Sequence, residues 1–480
     1  VFVGDAVTAI EMYTRGTWDA DKVRHELLHA ILIILGSTLL AGVLTFFMRQ
    51  TLIVMSRHIE FDLKNEIFRH YERLSQSFYK RNRTGDLMNR ISQDVDKVRQ
   101  YVGPAIMYSL NTLIGFIVIL TQMIMISPQL TLYTVLPLPL LAYSIFWVSR
   151  QINKRSALAQ QNLSSLATYS QEMFSGIRII KAYALEDQKE QGFVELSRES
   201  KKRNMSLAWV NAMFGPLMVL LIGISNLVVI FVGGIMYING TLENMGTLAE
   251  FILCINRLTW PVASLGWISS MVQEAEVSQK RINEFLKTEP EIKNTNPEHT
   301  AIKGNIVFDN VSFTYEDTGI TALKNVSFTL NKGETLAILG RTGSGKSSVL
   351  SLISRLYDAT SGHVYIDNKE ITSLNLHDLR ENVGVVPQDA FLFSDSIKNN
   401  IKFGNENATD EQITDAAKKA SVHHNIEGFT HKYETVLGER GITLSGGQKQ
   451  RVSIARALIK NAPVLLLDDC LSAVDTETEE

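Results

Sequence analysis

Five stretches of the chain are apolar almost without interruption: residues 27–48, 102–126, 130–148, 213–238 and 248–271. Each approaches or exceeds the roughly 20 apolar residues that carry a helix across a bilayer. The opening VFVG reads as the end of a sixth such run. After residue 300 the pattern changes. NIVFDNVSFTY, 305–315, alternates apolar and polar positions as a strand does. LKNVSFTLNKGETLAILG, 323–340, continues in strands, and SSVLSLISRLY, 347–357, has helical spacing. Between the halves, KTEPEIKNTNPEHT, 287–300, is polar and proline-containing and reads as a linker. The pattern predicts a multidomain membrane protein: an all-α transmembrane domain over 1–286, a linker over 287–302 and an α/β domain over 303–480.

Two long basic segments set the orientation. Residues 49–99 hold eleven Lys and Arg and residues 150–203 hold ten, whereas the turns at 127–129 and 239–246 hold none. The excess of positive charge places the basic segments in the cytoplasm. Both are rich in helix formers, so the membrane helices are expected to continue well past the bilayer. RNRTGDLMNRI, 81–91, and FSGIRIIKAYALED, 174–187, interrupt them with Gly and predict short helices at the turnaround points. Asn111, Gln122, Asn226, Asn256 and Arg257 lie inside the apolar runs, where a charge such as Arg257 is expected to face protein or a wet cavity. Pro137, Pro139, Pro216 and Pro261 mark expected kinks. Trp147, Met213, Met218, Trp260 and Trp267 would suit an amphipathic substrate, or equally a packed or lipid-facing role.

Composition adds little beyond exclusions. The 47 Lys and Arg nearly balance 50 Asp and Glu, so nothing points to nucleic acid as a partner. Cys254 and Cys470 lie far apart, one in each half, and are read as reduced thiols. The chain starts without Met and closes five residues after Asp475, so both ends read as cut.

The chemistry concentrates in three places. GRTGSGKS, 340–347, follows an apolar strand signal and opens a helix, the context a phosphate-binding loop requires. Gly340, Gly343 and Gly345 let the backbone curl so that its N–H groups face phosphate oxygens, with Arg341, Thr342, Ser344 and Ser348 completing the loop. The helix that follows turns its positive end to the same anion. Lys346 reaches the β- and γ-phosphates, and the Ser347 hydroxyl is a ligand for Mg²⁺. PVLLLDD, 463–469, ends a buried strand in two carboxylates: Asp468 to hold Mg²⁺, and Asp469 where a base would orient the attacking water. LSGGQKQR, 444–451, is a second anion trap on a helix N-terminus, and two traps for one nucleotide make sense if two copies of the domain meet head to tail.

With these motifs the chain resembles the ABC transporters, specifically the exporter half-transporters that fuse a six-helix membrane domain to a nucleotide-binding domain. The first helix would lie mostly outside this chain. The resemblance implies ATP and Mg²⁺ as cofactors. It identifies Leu444, Ser445, Gly446, Gly447 and Gln448 as the signature motif, SAVD, 472–475, with Asp475, as the D-loop, and TVLGERG, 435–441, as a cross-domain loop. It gives Gln388 contact with Mg²⁺, Tyr315 the adenine platform, and the segments around 75–100 and 165–190 the coupling to the membrane spans. It also implies a bacterial inner membrane as the location and a small amphipathic molecule, drug or lipid as substrate.

Two departures stand out. The family carries Glu where this chain has Asp469. The shorter side chain withdraws the carboxylate by roughly 1–1.5 Å, a displacement that costs on the order of a hundredfold in rate. This site is therefore expected to bind ATP and hydrolyse it slowly, while its intact signature completes a partner's site. That points to one subunit of a heterodimer; a homodimer with a slower base is the alternative. Second, the family's switch histidine lies beyond the D-loop, past residue 480, and His423, His424 and His431 do not take that role. An ATP-gated channel or regulator that binds ATP without pumping is the rival reading. A soluble DNA-repair type ATPase is opposed by the five apolar runs, and importers usually divide these parts between chains.

Overall fold

The computed structural model describes residues 2–242, 245–438, 441 and 443–470. They fall into two compact units. One comprises the chain up to Ile67 with Asn89–Phe285, the other Phe68–Met88 with the chain from Leu286 onward. Asp475 and the remainder of 471–480, residues 439 and 440 of the expected cross-domain loop, and the side chain of Trp260 lie outside the described residues.

The first unit is helical. All five apolar runs lie in helices, and two of those helices, Ala20–Arg73 and Glu186–Ile238, are 54 and 53 residues long. Each is far longer than a span, so an apolar run and its polar continuation share one helix, as the distribution of helix formers predicts. Short helices at Gln76–Arg81, Thr84–Asn89 and Ile177–Ala182 occupy the two turnaround regions. The π-helical turns Arg90–Asp94 and Tyr101–Ala105, the second holding Pro104, were not legible in the pattern.

Among the described residues, three helices are long and apolar enough to cross a membrane: Ala20–Arg73, Thr84–Ile126 and Glu186–Ile238. The run 130–148 is split at Leu136 and Pro137 between helices Pro128–Val135 and Leu138–Ser175. The run 248–271 lies within the helix Gly246–Leu286 and carries Glu250, Asn256 and Arg257. Pro216 and Pro261 lie inside continuous helices.

Met123, Leu130, Val229, Phe251, Ile255 and Leu258 form the core of this unit. Helix Phe2–Thr14 comes so close that a Cβ on Gly246 would lie 2.3 Å from the Gly4 carbonyl oxygen, a small-residue contact of the kind that lets membrane helices approach. The Gln122 amide donates to Glu250 at 3.0 Å, and the Thr112 and Ser264 hydroxyls meet at 3.1 Å. Asn226 is in part buried, with its Oδ1 unpaired among the described residues. Asn111, Asn256 and Arg257 are exposed on this unit, because they lie on helix faces that no neighbour within it covers.

The second unit holds two sheets. Strands β1 (Ile306–Thr314), β2 (Thr321–Leu330), β3 (Ser361–Ile366) and β4 (Lys369–Glu370) form an antiparallel sheet in the order β2-β1-β3-β4. Strands β5 (Val383–Val386) and β6 (Val464–Leu467) pair in parallel, Val383 against Val464 through Val386 against Leu467. An apolar core of Ile306, Phe308, Val311, Leu352, Ile366 and Val383 binds the sheets to the helix Lys346–Ile353. A second cluster, built on Ile401, Ile413, Ala417, Ile426, Val452 and Ala455, belongs to helices Ile397–Lys402, Asp410–Lys419, His423–Glu427 and Gly446–Ile459.

One expected strand is not formed. TLAILG, 335–340, pairs with no described strand. A cavity of 620 Å³ lined by Leu336, Ile338, Leu339, Leu465 and Leu467 separates it from β6. Leu339 is 92 % exposed. Apolar, β-prone composition makes a strand only where a neighbouring backbone supplies the ladder.

The polar linker is strapped down. The Asn375 amide donates to the Asn296 carbonyl at 2.9 Å, and the Leu376 N–H to Asn294 at 3.0 Å. His299 Nδ1 lies 2.9 Å from Asp378, which also accepts from the Thr300 N–H at 2.7 Å. The Thr300 N–H and then His299 hold the Asp378 carboxyl below its usual range, and Asp378 holds His299 above its own. The ion pair therefore steadies the strap fully below the unfolded histidine pKa of about 6.5 and above the unfolded carboxylate pKa of about 3.9. It is lost as pH rises through the raised histidine value or falls through the lowered carboxylate value. Tryptic cleavage between Lys293 and Lys303, taken as a ratio to His299→Ala at each pH, should be slowed at about pH 6 and approach unity in mild alkali. A pH-independent ratio would show that the pair does not hold the strap.

Candidate functional site

The phosphate loop is shaped by two glycines with left-handed backbone, Gly343 at φ +82° and Gly345 at φ +90°. Gly345 caps the helix Lys346–Ile353, and a Cβ there would lie 2.3 Å from the Ala322 carbonyl oxygen. No other residue fits that position without moving β2. Val349, Leu352 and Ile353 are buried in the sheet core and fix the helix behind the loop. The Lys346 ammonium folds across the loop and donates to the carbonyls of Gly340 at 2.7 Å and Arg341 at 3.1 Å, which puts its charge at the mouth of the cradle.

The end of β6 meets this loop. The Ser347 hydroxyl donates to the Asp468 carboxylate at 3.0 Å, and the Asp468 N–H donates to the Val386 carbonyl at 2.9 Å. Two hard oxygen donors side by side are the kind of ligand pair that Mg²⁺ takes. The Gln388 amide donates to Asp469 Oδ2 at 3.2 Å. Asp469 itself has left-handed backbone, φ 48°, a conformation in which Asp is several-fold more common than most side chains. On the other side of the loop the Tyr315 hydroxyl lies 2.9 Å from Ser348 Oγ, and Ser348 is buried.

The structure thus gathers Tyr315, the loop from Gly340 to Ser348, Gln388, Asp468 and Asp469 at one place. Leu444, Ser445, Gly446, Gly447 and Gln448 are built elsewhere. Leu444 is buried in the helical cluster. Ser445 caps the helix Gly446–Ile459 and forms a capping box with Gln448: the Gln448 N–H donates to Ser445 Oγ at 3.3 Å and the Ser445 N–H donates to Gln448 Oε1 at 3.0 Å. No hydrogen bond joins this motif to the phosphate loop among the described residues.

Sequence reasoning missed one contact at the site, that of Lys80, and one brace of the helix Gly446–Ile459, that of Arg456. Arg456 reaches from the signature helix to the carbonyls of Asn400 and Phe391, both at 2.8 Å, and stacks near Phe393 and Phe403; burial holds its guanidinium below the usual arginine range. Lys80 lies over the ring of Tyr315. Nothing near either residue in the chain signals its partner.

Comparison with known proteins agrees with this architecture. Residues 2–262 match the family model for the ABC transporter transmembrane region, and residues 323–472 match the one for the ABC transporter. The chain is 38% identical over 466 residues to the multidrug resistance-like ATP-binding protein MdlA of Escherichia coli K12, covering 96% of this chain and 79% of that protein. It is 32% identical over 443 residues to the ATP-dependent lipid A-core flippase of Syntrophus aciditrophicus, covering 92% and 73%. Its fold matches a bacterial Atm1-family ABC exporter with ATP bound, at a TM-score of 0.78 and 24% identity, over 100% of this chain and 84% of the other.

The glycine geometry makes a graded prediction. Gly343→Ala meets nothing within 4 Å and carries only the left-handed strain of about 1–2 kcal/mol, so ATP binding should weaken by about five- to thirtyfold. Gly345→Ala adds the collision with Ala322 and should abolish binding. Equilibrium binding of ATP to the two variants checks the order, and the reverse order would contradict the fit at Gly345.

Proposed function

The chain belongs to the ABC transporter family, and on that premise we propose that it is one half of a dimeric exporter that uses ATP to move an amphipathic small molecule, drug or lipid out of a bacterial inner membrane. Residues 1–286 serve as its transmembrane domain, 287–302 as the strap between domains and 303–480 as its nucleotide-binding domain. The observation that carries the nucleotide reading is the contact of Ser347 with Asp468 beside a glycine-shaped cradle. ATP places its phosphates against the N–H groups of 340–348, and Lys346 exchanges its two carbonyl partners for phosphate oxygens. When bound, Mg²⁺ neutralises the charge on those oxygens. Ser347 and Asp468 would hold it, with Gln388 alongside.

Asp469 would orient the attacking water. Its carboxylate is short and is engaged by Gln388. We infer slow turnover at this site and a partner half-transporter that supplies a faster one. The signature serine and Gly446 of this chain stand on a helix start away from its own phosphate loop, which supports their use on the partner's ATP. The substrate class rests on relatives named for multidrug resistance and for flipping lipid A-core, both amphipathic cargoes.

Inside-out vesicles carrying the full-length protein with its partner half should concentrate a fluorescent amphipathic cation or labelled lipid in the presence of ATP and Mg²⁺. Uptake should fall in Lys346→Ala and disappear without ATP. ATP-dependent leakage down a gradient, with no accumulation above it, would sink the export reading in favour of a gated channel.

A further inference from the structure

The contact between Lys80 and Tyr315 deepens the nucleotide reading. The ring of Tyr315 is half-buried beside the phosphate loop, its hydroxyl against Ser348. Phe313 and Tyr357 meet it edge-on, with ring centroids 4.7 and 5.4 Å away. The Lys80 ammonium lies 4.3 Å from the centroid of Tyr315 and 5.1 Å from that of Tyr357. The ammonium thus covers a face of the ring, and a base stacking on that face has to displace it.

Lys80 does not reach this position from a loose segment. It is carried by the short helix Gln76–Arg81, which is pinned on both sides of it. The Ser77 hydroxyl donates to the Glu291 carboxylate, and the Tyr79 hydroxyl donates to the Tyr71 carbonyl at 2.6 Å. Arg81 pairs with Glu291 at 3.6 Å and Glu316 at 3.3 Å. Despite partial desolvation, Tyr357, Tyr315 and Asp317 together hold the Lys80 ammonium above its usual pKa, so it is charged across the physiological range.

We propose that Lys80 is a positioning residue of the nucleotide site, whose ammonium occupies the base-stacking face of Tyr315 and is displaced when a nucleobase takes that face. The proposal rests on the reading of Tyr315 as the base platform. Base and ammonium compete for one aromatic face, so arrival of the base frees the helix Gln76–Arg81 from one of its holds on this unit. Phosphates alone, bound in the 340–348 loop, leave the Lys80 contact intact. Nucleotide occupancy is thereby reported to the cytoplasmic segment between the spans through the base, in addition to anything the phosphates do.

The test compares ATP with inorganic tripolyphosphate, which offers the phosphates without a base, on the full chain in lipid. Lys80 is exposed, so its variants are expected to fold. An exposed cation–π contact corresponds to about two- to fivefold in binding. Lys80→Ala and Lys80→Met should therefore tighten ATP binding by about that factor and leave tripolyphosphate binding unchanged. In a Tyr315→Ala background the Lys80 substitution should have no effect on ATP. As an independent readout, ATP but not tripolyphosphate should increase acylation of the Lys80 amine, followed by mass spectrometry. Weaker ATP binding in Lys80→Ala, or equal changes for ATP and tripolyphosphate, would overturn the competition. If Tyr315→Ala weakens ATP but Lys80→Ala does nothing, this proposal alone falls. If Tyr315→Ala leaves ATP affinity untouched, the platform reading falls and takes the proposal with it.

Discussion

The nucleotide site depends on one exposed contact, the Ser347 hydroxyl on the Asp468 carboxylate at 3.0 Å. It joins the first turn of the helix behind the phosphate loop to the end of β6. The strand pairing of β5 with β6 sets where Asp468 emerges, and the fit of Gly345 against Ala322 sets where Ser347 starts. Being exposed, the contact adds little to stability. Its value is geometric: it puts two oxygen donors and an ammonium around one small volume before any ligand arrives, so the ordering needed for binding is already in place.

Part of this was legible because the chemistry itself is local. A phosphate cradle needs its glycines, lysine and hydroxyl within a few residues, and a metal-binding carboxylate needs a buried strand to end beside it. GRTGSGKS and PVLLLDD carry both requirements in order. Long amphipathic continuations of the apolar runs likewise follow from unbroken helix formers. What was not legible is non-local. TLAILG has every local mark of a strand, but a strand exists only where another backbone pairs with it, and 335–340 meets a cavity instead. Asn294, Asn296 and His299 have the composition of a free linker, yet they bond to Leu376, Ser373 and Asp378. Lys80 is one of eleven basic residues in its segment, and only the fold selects it.

The signature motif is built apart from the phosphate loop of its own chain. Ser445 and Gln448 use their side chains in the capping box that starts their helix, which packs in the helical cluster and, through Ala457, against Val386 of β5. Arg456 then ties the same helix to the loop around Asn400. The arrangement keeps the glycine end of the helix open, since a Cβ added to Gly446 would have nothing within 4 Å.

Asp469 is the residue on which the two-site reading rests most heavily. A left-handed backbone suits Asp, and the Gln388 contact already holds its carboxylate, so the group that should serve as base is short and engaged. Steady-state ATP hydrolysis by the full-length chain, purified alone in lipid and compared with Asp469→Glu, addresses this most directly. Slow turnover is expected for the chain alone, with a gain of about one to two orders of magnitude in the Glu variant. Adding a second half-transporter that carries Glu should restore activity to the native chain. Ordinary turnover by the chain alone, unchanged by the substitution, would contradict that reading and make Asp469 a competent base in a homodimer.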